Sequence, residues 1–116
     1  MSEEEKRRSE RVIPFVSDEE VVVIHQKGRD NILAKMMDLS EGGSLVYMLA
    51  DDDPGASVTL SIFHQGKVFA VPADAVRKAG RLIAFEFKDP PTEALREIQS
   101  KLIRMEVEWT RLSRRS

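Results

Sequence analysis

Short apolar runs separated by turn signals fill the middle of the chain, and their period is two rather than 3.6. Val21-Val22-Val23-Ile24 is β-branched and ends at Lys27-Gly28; Ile32 to Met37 forms a second run, and Leu45 to Leu49 a third after Gly42-Gly43. Val58-Thr59-Leu60-Ser61-Ile62 alternates apolar and polar, so its apolar side chains share one face of a sheet. Gln65-Gly66 reads as a tight hairpin into Val68 to Val71, and Ile83, Phe85 and Phe87 alternate again after Gly80. Six such runs in about 70 residues predict an antiparallel meander, which removes its unpaired edges most completely by closing into a barrel. Pro72 lacks an N–H for the ladder, so the pattern predicts a bulge, an edge position or a strand end there.

The two ends have different textures. Residues 1–11 form a polar arm in which Glu3 to Glu5 run into Lys6-Arg7-Arg8, with nothing able to build a core; it is expected to be mobile. After Pro90-Pro91 the period becomes helical. Thr92 is the expected N-cap, Glu93 sits in the first turn, and no Gly or Pro follows. Leu95, Ile98, Leu102, Met105, Trp109 and Leu112 then recur at alternating spacings of three and four, an apolar heptad seam. A helix from Thr92 to Arg111 spans roughly 30 Å, more than a small barrel covers. Two arrangements stay open: the whole seam docks on the barrel, or its distal half meets a second copy of the chain or a partner helix. The organisation expected is an arm at 1–11, a barrel at 12–90 and an amphipathic helix at 91–116.

Composition narrows the function. At 116 residues, with 41% apolar and 33% charged residues, the chain has the size and surface of one soluble domain. It has no cysteine, which excludes disulfides and thiolate metal sites. No apolar run approaches the ~18 residues of a membrane span, and Met-Ser-Glu-Glu-Glu lacks the apolar stretch of a secretory signal, so the expected location is the cytoplasm, without membrane insertion. The net charge of -2 and a pI near 5.7 argue against DNA or RNA as partners, although a local basic cluster can still hold a small dianion. His25 and His64 each end a strand before a glycine turn and read as surface turn residues rather than metal ligands. Asp51-Asp52-Asp53-Pro54-Gly55 lacks the alternating ligands of a calcium loop and reads as a turn. Trp109 lies on the helix seam and is expected to pack there rather than stack on a base. No nucleophile–base pair, phosphate loop or carboxylate pair stands out, so the chain is not expected to be an enzyme or to carry a cofactor or metal.

One constellation does point to a ligand. Arg7 and Arg11, four apart in the arm, are followed 27 residues later by Asp38-Leu39-Ser40-Glu41-Gly42-Gly43. The arginine pair alone says little, because Arg77/Arg81 and Arg111/Arg115 repeat it and about one such pair arises by chance. A D/N-x-S-x-x-G is expected by chance only about 0.04 times in such a chain, so Asp38, Ser40 and Gly43 carry the weight. Together the two halves resemble the cyclic-di-GMP-binding signature of PilZ domains, an R-x-x-x-R in an arm before a small barrel and a D/N-x-S-x-x-G at a strand end. The resemblance implies a six-stranded antiparallel barrel with a C-terminal helix, and it implies that cyclic di-GMP is the ligand.

The chemistry suits that ligand. An arginine fork matches both a phosphodiester and the O6/N7 edge of guanine, and its plane stacks on the base. On the resemblance, Arg7 and Arg11 grip phosphate and Hoogsteen edge, with Lys6 and Arg8 as further candidate contacts. Asp38 accepts from guanine N1–H and N2–H, Ser40 adds a hydroxyl, and Gly43 permits close approach of backbone. The implied function is a receptor or adaptor whose arm is ordered by ligand and whose altered surface regulates a partner protein in motility, adhesion or exopolysaccharide control. The alternative is a PilZ-like interaction module without nucleotide binding. A third class, a small barrel binding single-stranded nucleic acid, would need exposed aromatics and a basic face that this composition lacks.

Overall fold

The computed structural model describes residues 13–14, 20–50 and 53–114. Within them lie β1 (Ile13–Pro14), β2 (Val21–His25), β3 (Ile32–Leu39), β4 (Gly43–Met48), β5 (Ser57–His64), β6 (Lys67–Ala79), β7 (Leu82–Phe87) and α1 (Thr92–Ser113). The six expected strands are all present, and every pairing is antiparallel. Neighbours run β3-β2-β5-β6-β7-β4, and β4 returns to β3, so the sheet closes on itself into the expected six-stranded barrel. The short β1 lies outside this ring. It pairs with the end of β3, Ile13 opposite Leu39 and Pro14 opposite Asp38.

Alternation makes the interior. Val22 and Ile24 of β2, Leu60 and Ile62 of β5, Val46 and Met48 of β4, and Ile83 and Phe85 of β7 are all essentially inaccessible. Their neighbours in sequence face outward, the period-two pattern of a sheet with one dry face. The β5–β6 hairpin turns on Gln65 and Gly66, both with positive φ (52° and 77°), the pattern of a two-residue type I′ loop, as the sequence predicts.

One local expectation is narrowed and two change. The fifth strand does not end at Pro72: β6 continues for 13 residues to Ala79. β7 pairs with its other side from Ala73 opposite Phe87, and Lys88 N–H, just past β7, donates to the Pro72 carbonyl (2.8 Å), so the missing N–H of Pro72 falls at the end of the β6–β7 ladder. Thr92 is not the N-cap. It is the first helical residue, Pro91 occupies the cap position with φ -57° and ψ 151°, and Leu95 N–H donates to the Pro91 carbonyl. The two prolines fix an extended approach, and the helix starts without a side-chain cap. His64 is not a surface residue. It is 5% exposed, on the inward parity of β5 with Val58, Leu60 and Ile62.

Helix α1 follows β7 and lies against β6 and β1. Ala94, Ile98 and Leu102 enter the barrel's core, and Met105 packs at its margin. Lys101 is buried as well, which the heptad reading misses. Its Nζ donates to Glu20 Oε1 (3.1 Å) and to the Phe63 carbonyl (2.9 Å), tying the helix to the start of β2 and the end of β5. Beyond Met105 the seam leaves the protein: Trp109 and Leu112 are exposed, as are Ile103 and Val107 on the helix's other side. Docking of the whole seam on the barrel is therefore ruled out, and Trp109 has no packing role within the described chain. No helix among the described residues is long and apolar enough to cross a membrane.

The seam should thus be energetically divided. Leu102→Ala is expected to lower unfolding free energy by about 2–5 kcal/mol in urea titrations, whereas Leu112→Ala stays within about 0.5 kcal/mol.

Candidate functional site

The site is built on the outer wall of the barrel where β3 gives way to β4. Strand parity alone would turn Asp38 inward with Ala34 and Met36. The register prevents this: Met36 pairs with Val46 but Asp38 pairs with Leu45, so Met37 is an extra, bulged residue. One inserted residue reverses every side chain after it. Leu39 becomes fully buried, and Asp38 stands half-buried at the outer surface. The disturbed ladder is repaired by side chains. Leu45 N–H donates to Asp38 Oδ1 (3.0 Å), and Ser44 Oγ donates to the Asp38 carbonyl (2.7 Å).

Ser40 shapes the turn that follows. Its Oγ accepts from Gly42 N–H (3.2 Å) and Gly43 N–H (3.0 Å) and donates to the Gly43 carbonyl (3.2 Å), while Ser40 N–H donates to the same carbonyl (2.8 Å). The hydroxyl is committed to folding the loop, a local side-chain-to-backbone closure typical of serine. Gly43 is required by contact rather than by conformation. A Cβ there would lie 2.2 Å from the Phe85 carbonyl oxygen, so the close approach it permits is that of β7.

Asp38, Ser40 and Gly43 border a shallow cavity of about 440 Å³. Its opposite wall comes from β6 and β7, with Val76, Arg77 and Glu86. A second bulge builds that wall: Ala75 pairs with Phe85 and Arg77 with Ala84, leaving Val76 extra and turning Arg77 outward. Arg77 is a candidate contact that the sequence reading passes over as one of the chance arginine pairs. Without a sign of the Val76 bulge, its parity follows inward-facing Ala73 and Ala75. Arg7, Arg11, Lys6 and Arg8 lie outside the described residues.

Burial pushes the Asp38 carboxyl above its ordinary value of 3.8, and the Leu45 N–H partly opposes this. Among the described residues the cavity carries two carboxylates, Asp38 and Glu86, and one cation, Arg77. Such a floor accepts hydrogen-bond donors well but repels an anion unless more positive charge is brought to it. No group of three metal-ligating side chains occurs among the described residues.

Comparison with known proteins agrees with this architecture. A sequence model of the PilZ domain matches residues 5–104. Among solved structures, the chain is similar to the PilZ domain of YcgR from Escherichia coli, solved with c-di-GMP, at 16% identity and TM-score 0.74, over 96% of this chain and 100% of that one. It is similar to the PilZ domain of CeSA from a cellulose-synthesizing bacterium, at 18% identity and TM-score 0.66, over 83% and 98% of the two chains. It also matches YcgR in complex with c-di-GMP from Escherichia coli, at 18% identity and TM-score 0.68, over 92% of this chain and 49% of that one. A search of curated proteins finds no significant sequence match.

Gly43→Ala is expected to be costly, by about 1–3 kcal/mol or more, because β4 and β7 must part to admit the methyl. Gly55→Ala is the control, since its Cβ meets nothing nearer than 3.9 Å and the change should be near neutral in thermal melts.

Proposed function

Because the chain belongs to the PilZ domain family, we propose that it is a receptor for cyclic di-GMP and acts as an adaptor rather than an enzyme. The observation that carries this reading is the D-x-S-x-x-G on the outer wall: Asp38 is bulged outward beside a cavity, with Ser40 folding the turn and Gly43 sealing it against β7. A guanine edge donating N1–H and N2–H meets the acceptor that Asp38 offers, and Arg77 and Val76 supply a guanidinium plane and an apolar surface for a base on the facing wall. The YcgR structures that this chain resembles hold c-di-GMP, which favours the same ligand.

Phosphate charge must be met by the arm. The described floor has more carboxylates than cations, so Arg7 and Arg11 are assigned the two phosphodiester and Hoogsteen contacts, with Lys6 and Arg8 adjoining. β1 makes this feasible. It hydrogen-bonds to β3 at Leu39 and Asp38, and Arg11 precedes Ile13 by two residues, a tether of about 7 Å. Ser40 acts by positioning, since its hydroxyl is held in the turn. Ligand bridging arm and floor then alters the surface around β1, against which α1 lies. The exposed Trp109 and Leu112 are the surface by which a regulated protein in motility, adhesion or exopolysaccharide control reads the change. The alternative, an interaction module without ligand, uses the same helix face and differs only in the titration below.

Calorimetry with cyclic di-GMP is expected to show saturable binding that Arg7→Ala/Arg11→Ala abolishes and Asp38→Ala weakens by roughly 10- to 150-fold, the equivalent of ~1.5–3 kcal/mol for a charge-assisted bond. No heat at high micromolar ligand would favour the interaction module.

The pH dependence has a definite sign. Guanine donors favour the charged carboxylate, whereas burial raises the Asp38 pKa in the free protein. Affinity should therefore fall as pH is lowered from neutral into the range where Asp38 takes a proton, and Asp38→Asn should be weaker at pH 7 and flat across that range.

A further inference from the structure

We propose that docking of helix α1 on the barrel is proton-sensitive, with His64 as the sensor and the last docked turn, Lys101–Met105, as the element it releases. The inference does not depend on the nucleotide reading. His64 ends β5 on the inward parity and is 5% exposed beneath the helix, and its Nε2 is buried without a hydrogen-bond partner. As a neutral ring it is tolerated as an apolar body with one unmet lone pair. As an imidazolium it would hold an N–H donor and a full charge with no acceptor, a far costlier state.

Its charged surroundings are mixed, with Lys101 the strongest among them. From α1, Lys101 and Arg104 oppose a positive ring, while Glu97 favours it; Glu20, before β2, also favours it. Both carboxylates are already engaged: Glu20 accepts from Lys101 Nζ, and Glu97 pairs with Lys67 across the β5–β6 hairpin at 3.7 Å. Glu108 lines the same cleft further along the helix. Burial first, and Lys101 second, hold the imidazole below its ordinary 6.5.

A base whose folded pKa is lowered contributes stability that is complete above 6.5 and is lost as pH falls through the unfolded and then the folded value. The group rewarded for opening is the one that covers it. A cleft of about 390 Å³ already lies between the hairpin and the helix, bordered by His64 itself with Phe63, Lys101, Arg104 and Met105, so a small outward movement of this turn opens the buried Nε2 to water. Ile98 and Ala94, one turn or more nearer the barrel, keep the rest of the helix in place.

Amide exchange on the full chain, without nucleotide, tests this between pH 7.5 and 5.5, with protection corrected for the intrinsic rate. Protection of the Leu102–Met105 amides is expected to drop several-fold at the lower pH while β3 and β4 amides hold. In His64→Gln the drop should vanish; His64→Phe, which fills the volume with an apolar ring, guards against a variant that folds poorly. Unchanged protection in the native chain overturns the proposal. So does the same drop in both variants, a parallel loss throughout the barrel, or an NMR titration placing His64 at or above 6.5.

Discussion

A closed six-strand barrel imposes one rule on this chain: residues two apart face the same way, and one of the two faces must be dry. The wall that carries Asp38 and Arg77 depends on where that rule is broken. Asp38 and Leu39 are neighbours with opposite needs, and uninterrupted alternation from Met36 would bury the carboxylate and expose the leucine. A single extra residue, Met37, reverses the assignment. Val76 does the same for Arg77 on the facing wall. Two inserted residues thus convert a plain stretch of barrel exterior into a cavity with an acceptor on one side and a cation on the other.

Each bulge weakens its ladder, and the loop residues offset the loss. Asp38 caps the Leu45 N–H, Ser44 holds the Asp38 carbonyl, and Ser40 binds the turn's two glycine N–H groups. Asp38 and Ser40 therefore have a folding role of their own. Only Asp38 combines that role with an acceptor at the surface, and its raised pKa reflects the cost of keeping a half-buried carboxylate there. Among the described residues the floor offers more carboxylate acceptors than cations, Asp38 and Glu86 against Arg77.

Much of this was legible from the residues. Alternation in Val58 to Ile62 and in Ile83 to Phe87 gave the strands, Gln65-Gly66 the hairpin, and the three-and-four spacing after Pro91 the helix. The bulges were hidden because Met36-Met37 continues an apolar run and nothing local marks which methionine is extra. Arg77 was missed for the same reason. His64 could have been found, since it lies on the even-numbered face with Val58, Leu60 and Ile62, but its closeness to a glycine turn outweighed the parity. At Pro72 the sequence leaves a bulge, an edge position and a strand end open; the strand runs on because its missing donor falls at the end of the β6–β7 ladder. The arginine half of the motif lies outside the described residues.

The place where the helix seam leaves the barrel has a mechanical consequence. From Leu102, the last fully buried seam residue, to Ser113 is about 16 Å of rigid rod with its fulcrum at one end. A tilt of about 10° at the fulcrum sweeps the tip through ~3 Å. The overhang is therefore a pointer: a displacement too small to disturb the barrel's packing becomes, at Trp109 and Leu112, a shift as large as the contact distances by which another protein would judge them.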